Sequence, residues 1–237
     1  MNVLACDTST SVMYLALVRF EDERPVFYDT CATTLGNKHS ELLMTKIMEL
    51  CSRSGVPVQT LDLLVCTSGP GSFTGLRIAM STLKGISLAN EIPLVSVPTL
   101  DVYQKAVRHY PGVVLSVIDA KKQRFYAALS VHGERRSEDL DINTEQIEQL
   151  ISGYPTILLT GADAPQLFAK LGEKIQAKTE IEPYHGGNFG LALADLGRET
   201  YVAKGEDDRG KGPVYVRKSD AEIALLHTIH SLEVSHD

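Results

Sequence analysis

Ser68-Gly69-Pro70-Gly71-Ser72-Phe73-Thr74-Gly75-Leu76-Arg77 joins an apolar run, Leu61 to Cys66, to a stretch with helical periodicity, and the fold is decided by how it is read. Gly69, Gly71 and Gly75 admit close backbone approach, Pro70 fixes one φ, and Ser72 or Thr74 can cap the helix that follows. This is a strand-turn-helix junction at which an anion or a partner loop can dock. Leu76-Arg77 stands where a phosphate-binding loop of the Walker type would carry Lys-Ser/Thr, and the spacing does not read G-x-G-x-x-G. The turn alone therefore implies no nucleotide site. Ser72 lacks a G-x-S-x-G setting, so it has no signature of a nucleophile.

Working outward, Val3 to Cys6, the polar turn Asp7-Thr8-Ser9-Thr10-Ser11 and Tyr14 to Val18 read as a hairpin. A third strand is predicted from Val26 to Thr33. Ser40 to Cys51 repeats apolar residues at Leu43, Ile47 and Leu50, with Lys46 and Glu49 outward, which is an amphipathic helix widened by Leu42, Met44 and Met48. Thr74 to Asn90 is a second helix, Pro93 to Val97 a strand and Thr99 to His109 a third helix. Pro111-Gly112 marks a boundary, because a new hairpin opens beyond it: Val113 to Asp119, the turn Ala120-Lys121-Lys122-Gln123, then Arg124 to Val131. Both halves thus open alike, with an apolar strand ending in aspartate, a polar turn and a return strand. Helices at Thr144 to Ser152, Pro165 to Leu171 and Asn188 to Ala203 surround a strand at Thr156 to Thr160. Pro213 to Val216 is read as extended and the last dozen residues as loose or weakly helical. Two hairpin-led halves make an α/β chain with two sheets flanked by helices, residues 1–110 forming one lobe and 111–237 the other.

Composition narrows the function. The 237 residues suffice for a large core, and 43% hydrophobic content suits a soluble protein. A net charge of −7 argues against a generally basic surface that grips nucleic acid through phosphates. Cys6, Cys31, Cys51 and Cys66 include no C-x-x-C pair, which points to neither a zinc knuckle nor a disulfide framework. The start shows no signal peptide and no run approaches a membrane span, so a cytoplasmic protein is expected.

The two hairpin turns are the places where phosphate chemistry would lie. An actin-like ATPase needs a glycine-rich turn after its first strand; Asp7-Thr8-Ser9-Thr10 offers a carboxylate and hydroxyls but no glycine. The turn after Asp119 carries bulky Lys121, Lys122 and Arg124. The seven histidines form no H-E-x-x-H pair. The helix after Gly75 places Leu76, Ala79, Met80, Leu83 and Ile86 among small residues, which suits either an intermolecular helix bundle or coverage of its own sheet.

At Leu4-Ala5-Cys6-Asp7-Thr8-Ser9, Lys38-His39-Ser40-Glu41-Leu42-Leu43, the glycine-rich run to Ile78, and Pro213-Val214-Tyr215-Val216-Arg217, the chain resembles the TsaB family, also called YeaZ, over nearly its whole length. The resemblance implies a two-lobed actin-like fold of the ribonuclease H-like kind. It implies a non-catalytic partner of TsaD, the subunit that transfers threonylcarbamoyl to N6 of adenosine 37 in tRNAs reading codons that begin with A. TsaD carries a His-x-x-x-His metal pair; Val97-Pro98-Thr99-Leu100-Asp101-Val102-Tyr103, the corresponding stretch here, has neither imidazole. The resemblance further implies that the two helices pack on TsaD, or on a second copy in its absence. His39, Glu41, Leu42, Leu43, Thr45, Met80, Leu83 and Lys84 are then partner-side residues, with Phe73 and Arg77 bracing the turn. Gly69, Pro70, Gly71, Ser72, Thr74 and Gly75 shape the loop, and Asp7, Thr8 and Ser9 are candidates to touch a nucleotide in the complex. ATP and a metal are expected in the partner subunits, TsaD and the ATPase TsaE, and tRNA is expected to be held indirectly. An actin-like phosphotransferase and a glycoprotease-like metallopeptidase are the competing readings.

Overall fold

A computed structural model describes residues 1–34, 39–183 and 188–217; Lys38 and residues 226–237, the tail expected to be loose, lie outside the described residues. Strand β1 (Asn2–Asp7) pairs antiparallel with β2 (Val12–Glu21), which pairs with β3 (Arg24–Thr34). Helix α1 (His39–Arg53), strand β4 (Leu63–Gly69), helix α2 (Phe73–Asn90), strand β5 (Leu94–Pro98) and helix α3 (Thr99–Ala106) complete the first lobe's opening run. Its sheet has the order β3-β2-β1-β4-β5. The second lobe begins with β6 (Val113–Asp119) and β7 (Arg124–Val131), followed by the short β8 (Glu134–Arg135) and β9 (Leu140–Asn143). Helix α4 (Thr144–Ile151), β10 (Ile157–Thr160), α5 (Ala164–Phe168), α6 (Glu173–Gln176) and β11 (Thr179–Ile181) follow. The second sheet runs β11-β10-β6-β7-β8, with β9 also on β7. In both lobes a hairpin's first strand pairs parallel with the strand that follows a helix. The repeated opening is therefore a repeated topology.

Period-2 alternation explains how one sheet feeds two cores. Leu4 and Cys6 of β1, Leu15 and Leu17 of β2, and Leu64 and Cys66 of β4 face α1 and α2. Val3, Ala5, Ala16, Val18, Leu63 and Val65 face the opposite layer, built from α3 and the last helix, α7 (Phe189–Lys204). A third core, with Leu115, Val117, Phe125 and Ala127, lies under α4 and α5.

Helix α7 departs from the division at residue 110. It packs on the first sheet, with the Phe189 ring 4.6 Å from that of Tyr14 and 4.5 Å from that of Tyr103. At Gly197 the Val65 side chain occupies the space a Cβ would need, so the helix lies close against the strands. Ile118 and Ala128 of the second sheet join the same apolar layer. The first lobe is thus completed by the C-terminal part of the chain, a long-range return that local periodicity does not encode.

Two glycines of α2 separate packing from propensity. A Cβ at Gly75 would collide with the Thr8 carbonyl, whereas Gly85 is exposed with open space around it. Gly75→Ala is expected to lower unfolding free energy by roughly 1–3 kcal/mol through overpacking. Gly85→Ala is expected to raise it by about 0.5–1 kcal/mol by restoring helix propensity. Denaturant unfolding of the two variants checks both signs.

Candidate functional site

The glycine-rich turn is folded onto the first hairpin turn. Ser72 N donates to Ser9 O at 2.6 Å, and the Thr8 hydroxyl donates to Gly75 O at 2.7 Å. Gly69 adopts a φ of 121°, a left-handed conformation suited to glycine, and the next peptide, Gly69-Pro70, is cis. Ser72 is the helix cap: its side chain accepts from Gly75 N at 3.2 Å, while Thr74 is exposed.

This packing corrects the expectation for Asp7 and Thr8. Both are fully buried, and neither lines the cleft between the lobes. Asp7 Oδ1 accepts from the Thr67 hydroxyl and, at 3.1 Å, from Ser9 N. Burial pushes the Asp7 carboxyl up, against the opposing effect of those hydrogen bonds. Of the three candidate residues only Ser9 borders the cleft, a space of about 350 Å³ shared with Thr10, Ser11, Ser72 and Asp163. From the other lobe, Lys121, Lys122 and Gln123 turn through left-handed φ angles of 61°, 52° and 60°. Asp119 accepts from Lys121 N at 2.8 Å and from its Nζ at 2.9 Å, which turns that charge back on its own loop.

The partner-side residues divide. Glu41, Thr45 and Arg77 are exposed, and Leu42, Phe73 and Lys84 are half-buried. His39, Leu43, Met80 and Leu83 are buried, the three apolar ones in the core against the first sheet. Those four therefore do not present side chains to a partner: at 100° per residue, Leu76, Ala79, Met80 and Leu83 form the inward stripe of α2. Lys84 is also engaged, donating to the carbonyls of Arg209 and Lys211 at 2.9 and 2.6 Å. The outward apolar residues are Met44 and Met48 on α1 and Leu88 on α2, 45%, 49% and 65% exposed. Helical phase places Met44 and Met48 on the flank of the buried stripe of Leu43, Ile47, Leu50 and Cys51, at roughly 100° and 140° from Leu43, where the sequence pattern makes them a widening of the apolar face.

At the start of α2, Phe73 stacks on Tyr215 with centroids 4.2 Å apart, and the Arg77 guanidinium lies 3.9 Å from the Phe73 ring centre. Arg77 Nε donates to the Tyr215 hydroxyl at 3.0 Å. The third member of this cluster, Tyr215, comes from the far end of the sequence. Among the described residues, no three His, Cys, Asp or Glu side chains gather as a metal site, and no helix is long and apolar enough to cross a membrane.

Two lobes of repeated topology, each a mixed sheet with helices against it, define an actin-like fold. YeaZ from Pseudomonas aeruginosa shares the fold with a TM-score of 0.71, at 20% identity over 91% of this chain and 99% of that one. Residues 33–194 match the family model of TsaD, tRNA N6-adenosine threonylcarbamoyltransferase. The tRNA threonylcarbamoyladenosine biosynthesis protein TsaB of Bacillus subtilis is 30% identical over 96% of this chain and 99% of its own length. Its counterpart of the same name in Escherichia coli is 27% identical over 66% and 71%. The chain belongs to the TsaB family, also called YeaZ.

The raised Asp7 carboxyl has a signed consequence. The folded chain holds that proton more tightly than the unfolded chain, so the cost of ionising it is absent below the unfolded carboxyl range and grows as pH rises. Asp7→Asn retains an acceptor for Thr67 and Ser9 and is expected to raise Tm more at about pH 8 than at about pH 3, where Asp is already protonated unfolded. Equal shifts at both values in a thermal melt would contradict this origin.

Proposed function

We propose that this chain is a non-catalytic partner subunit in the making of N6-threonylcarbamoyladenosine at position 37 of tRNAs reading codons that begin with A. In this reading it binds and activates a TsaD-type transferase through the outer face of α1 and α2. The observation that carries it is the pair of half-exposed methionines on α1, Met44 and Met48, side by side with Thr45, Glu49 and Ser52. Exposed methionines give an adaptable apolar contact, and a second helix pair laid over them buries surface that α1 and α2 leave in water. Phe73, Arg77 and Tyr215 form a rigid aromatic and cationic end to that face.

Two further observations support a role without catalysis by this chain. Of the groups that a phosphate-binding turn would offer, Asp7 Oδ1 and the Thr8 hydroxyl are committed to internal hydrogen bonds, and Asp7 Oδ2 is buried away from the cleft. The residues at 97–103 carry no imidazole. ATP and the metal then belong to the partner subunits, TsaD and the ATPase TsaE. The same face serves a second copy of this chain when the transferase is absent, and tRNA is held chiefly by the transferase, in keeping with the net charge of −7.

Met44→Glu with Met48→Glu is expected to weaken the complex with the TsaD-type subunit at least tenfold, about 1.4 kcal/mol. Its Tm should stay near that of the unmodified chain, because both side chains already meet solvent. Met80→Glu with Leu83→Glu, by contrast, places charges in the core and is expected to unfold the lobe. Calorimetric titration paired with thermal melts separates the two cases. A complex of unchanged affinity in the Met44/Met48 variant sinks this surface.

A further inference from the structure

Pro213-Val214-Tyr215-Val216-Arg217 belongs to a segment that leaves α7 and crosses both lobes. It is first tied to the edge of the first sheet: Asp207 N donates to Leu94 O at 2.9 Å, and its carboxylate accepts from Ser96 N and the Ser96 hydroxyl at 2.8 and 2.6 Å. Val214 N then donates to Ser68 O at 2.7 Å, which lays the backbone against the glycine-rich turn. Tyr215 enters the stack with Phe73 and Arg77. Two residues later the chain is held by the other lobe. Arg217 Nε and Nη2 donate to the two Asp141 carboxylate oxygens at 2.8 and 3.0 Å, and Nη1 donates to Ala120 O at 3.1 Å. Asp141 is anchored in turn by Arg124 Nε at 2.8 Å.

The lobes also meet at α3, where Leu100 and Tyr103 share an apolar layer with Ile118 and Ala128. The same helix also carries polar ties to the second lobe, Asp101 accepting from Arg135 Nη1 and Gln104 Nε2 donating to Gly133 O at 2.9 Å, so α3 is the fixed side about which a hinge motion turns. The Arg217–Asp141 pair differs in position, at the cleft and two residues from Tyr215. It is bidentate, partly solvated, with side chains 21% and 18% exposed, and Arg217 lines the cleft. Lobe opening about α3 must stretch this pair, and the strain passes along two residues of backbone to the Phe73–Tyr215 stack.

We infer that Tyr215 and Arg217 form an interlobe latch, which couples docking at the Phe73–Arg77 end of α2 to the opening of the cleft. A partner that seats on Phe73 and Arg77 fixes Tyr215, and Tyr215 holds Arg217 on Asp141. The inference rests on the proposed docking face and names its regulation. By reciprocity, releasing the latch lowers affinity at the face.

The test compares the full chain with Arg217→Gln and with Asp141→Asn, the latter in the second lobe and outside the α1–α2 face. Affinity for the TsaD-type subunit is measured by calorimetry, and hydrogen exchange is followed over residues 73–77 and at Val214. Both variants are expected to bind at least about fivefold more weakly, the lower end of measured allosteric couplings, with faster exchange at those amides. Should Arg217→Gln fail to fold, Asp141→Asn decides alone. Affinity within twofold of the unmodified chain overturns the latch, whatever exchange shows. If the unmodified chain does not bind the subunit, the proposed function fails. The latch is then judged on exchange: acceleration in the variants supports it and unchanged protection overturns it.

Discussion

The rest of the molecule depends on the close approach of two turns, the glycine-rich turn before α2 and the hydroxyl-rich turn after β1. With Ser72 N on the Ser9 carbonyl and Gly75 pressed to the Thr8 carbonyl, the turns fill one another's concavity. Three backbone N–H groups of the turns, those of Ser9, Ser72 and Gly75, are spent on acceptors within the chain. The missing side chain at Gly75 lets α2 start where it does. The direction of α2 follows from that start.

Once α2 is aimed, amphipathicity assigns its faces. The stripe from Leu76 to Ile86 closes the core over β1, β2 and β4, together with Leu43, Ile47 and Leu50 of α1. The outward side of the helix pair keeps Met44, Met48 and Leu88 in water. On the other face of the sheet, α3 and α7 form a layer that also takes Ile118 and Ala128 from the second lobe. One sheet thereby carries the outer face, the inner core and the junction between lobes. The segment after α7 links all three, passing from Lys84 to the Phe73 stack to Asp141.

Much of this architecture was legible because it is local. The two hairpins, β4 and the start of α2 follow from alternation and turn residues, and Ser72 was one of two candidate caps for reasons of side-chain reach. The shared topology of the lobes was visible as two apolar strands that each end in aspartate. What escaped is non-local. Nothing near Phe189 to Lys204 announces that this helix completes the first lobe, and nothing near Tyr215 announces a ring from Phe73. The burial of Asp7 and Thr8 depends on Thr67 of β4 and on Gly75 at the start of α2, 60 and 67 residues away. Met80 and Leu83 were candidates for two roles in the sequence, and only the position of the sheet decides between them.

The proposed function rests on the two turns packing on one another in place of holding a phosphate, with the helical face as the surface that works. Calorimetric titration of the isolated chain with magnesium-ATP tests it most directly. The account predicts no saturable binding at concentrations up to about a millimolar, a threshold near 4 kcal/mol of binding free energy. Stoichiometric binding at micromolar affinity would contradict it.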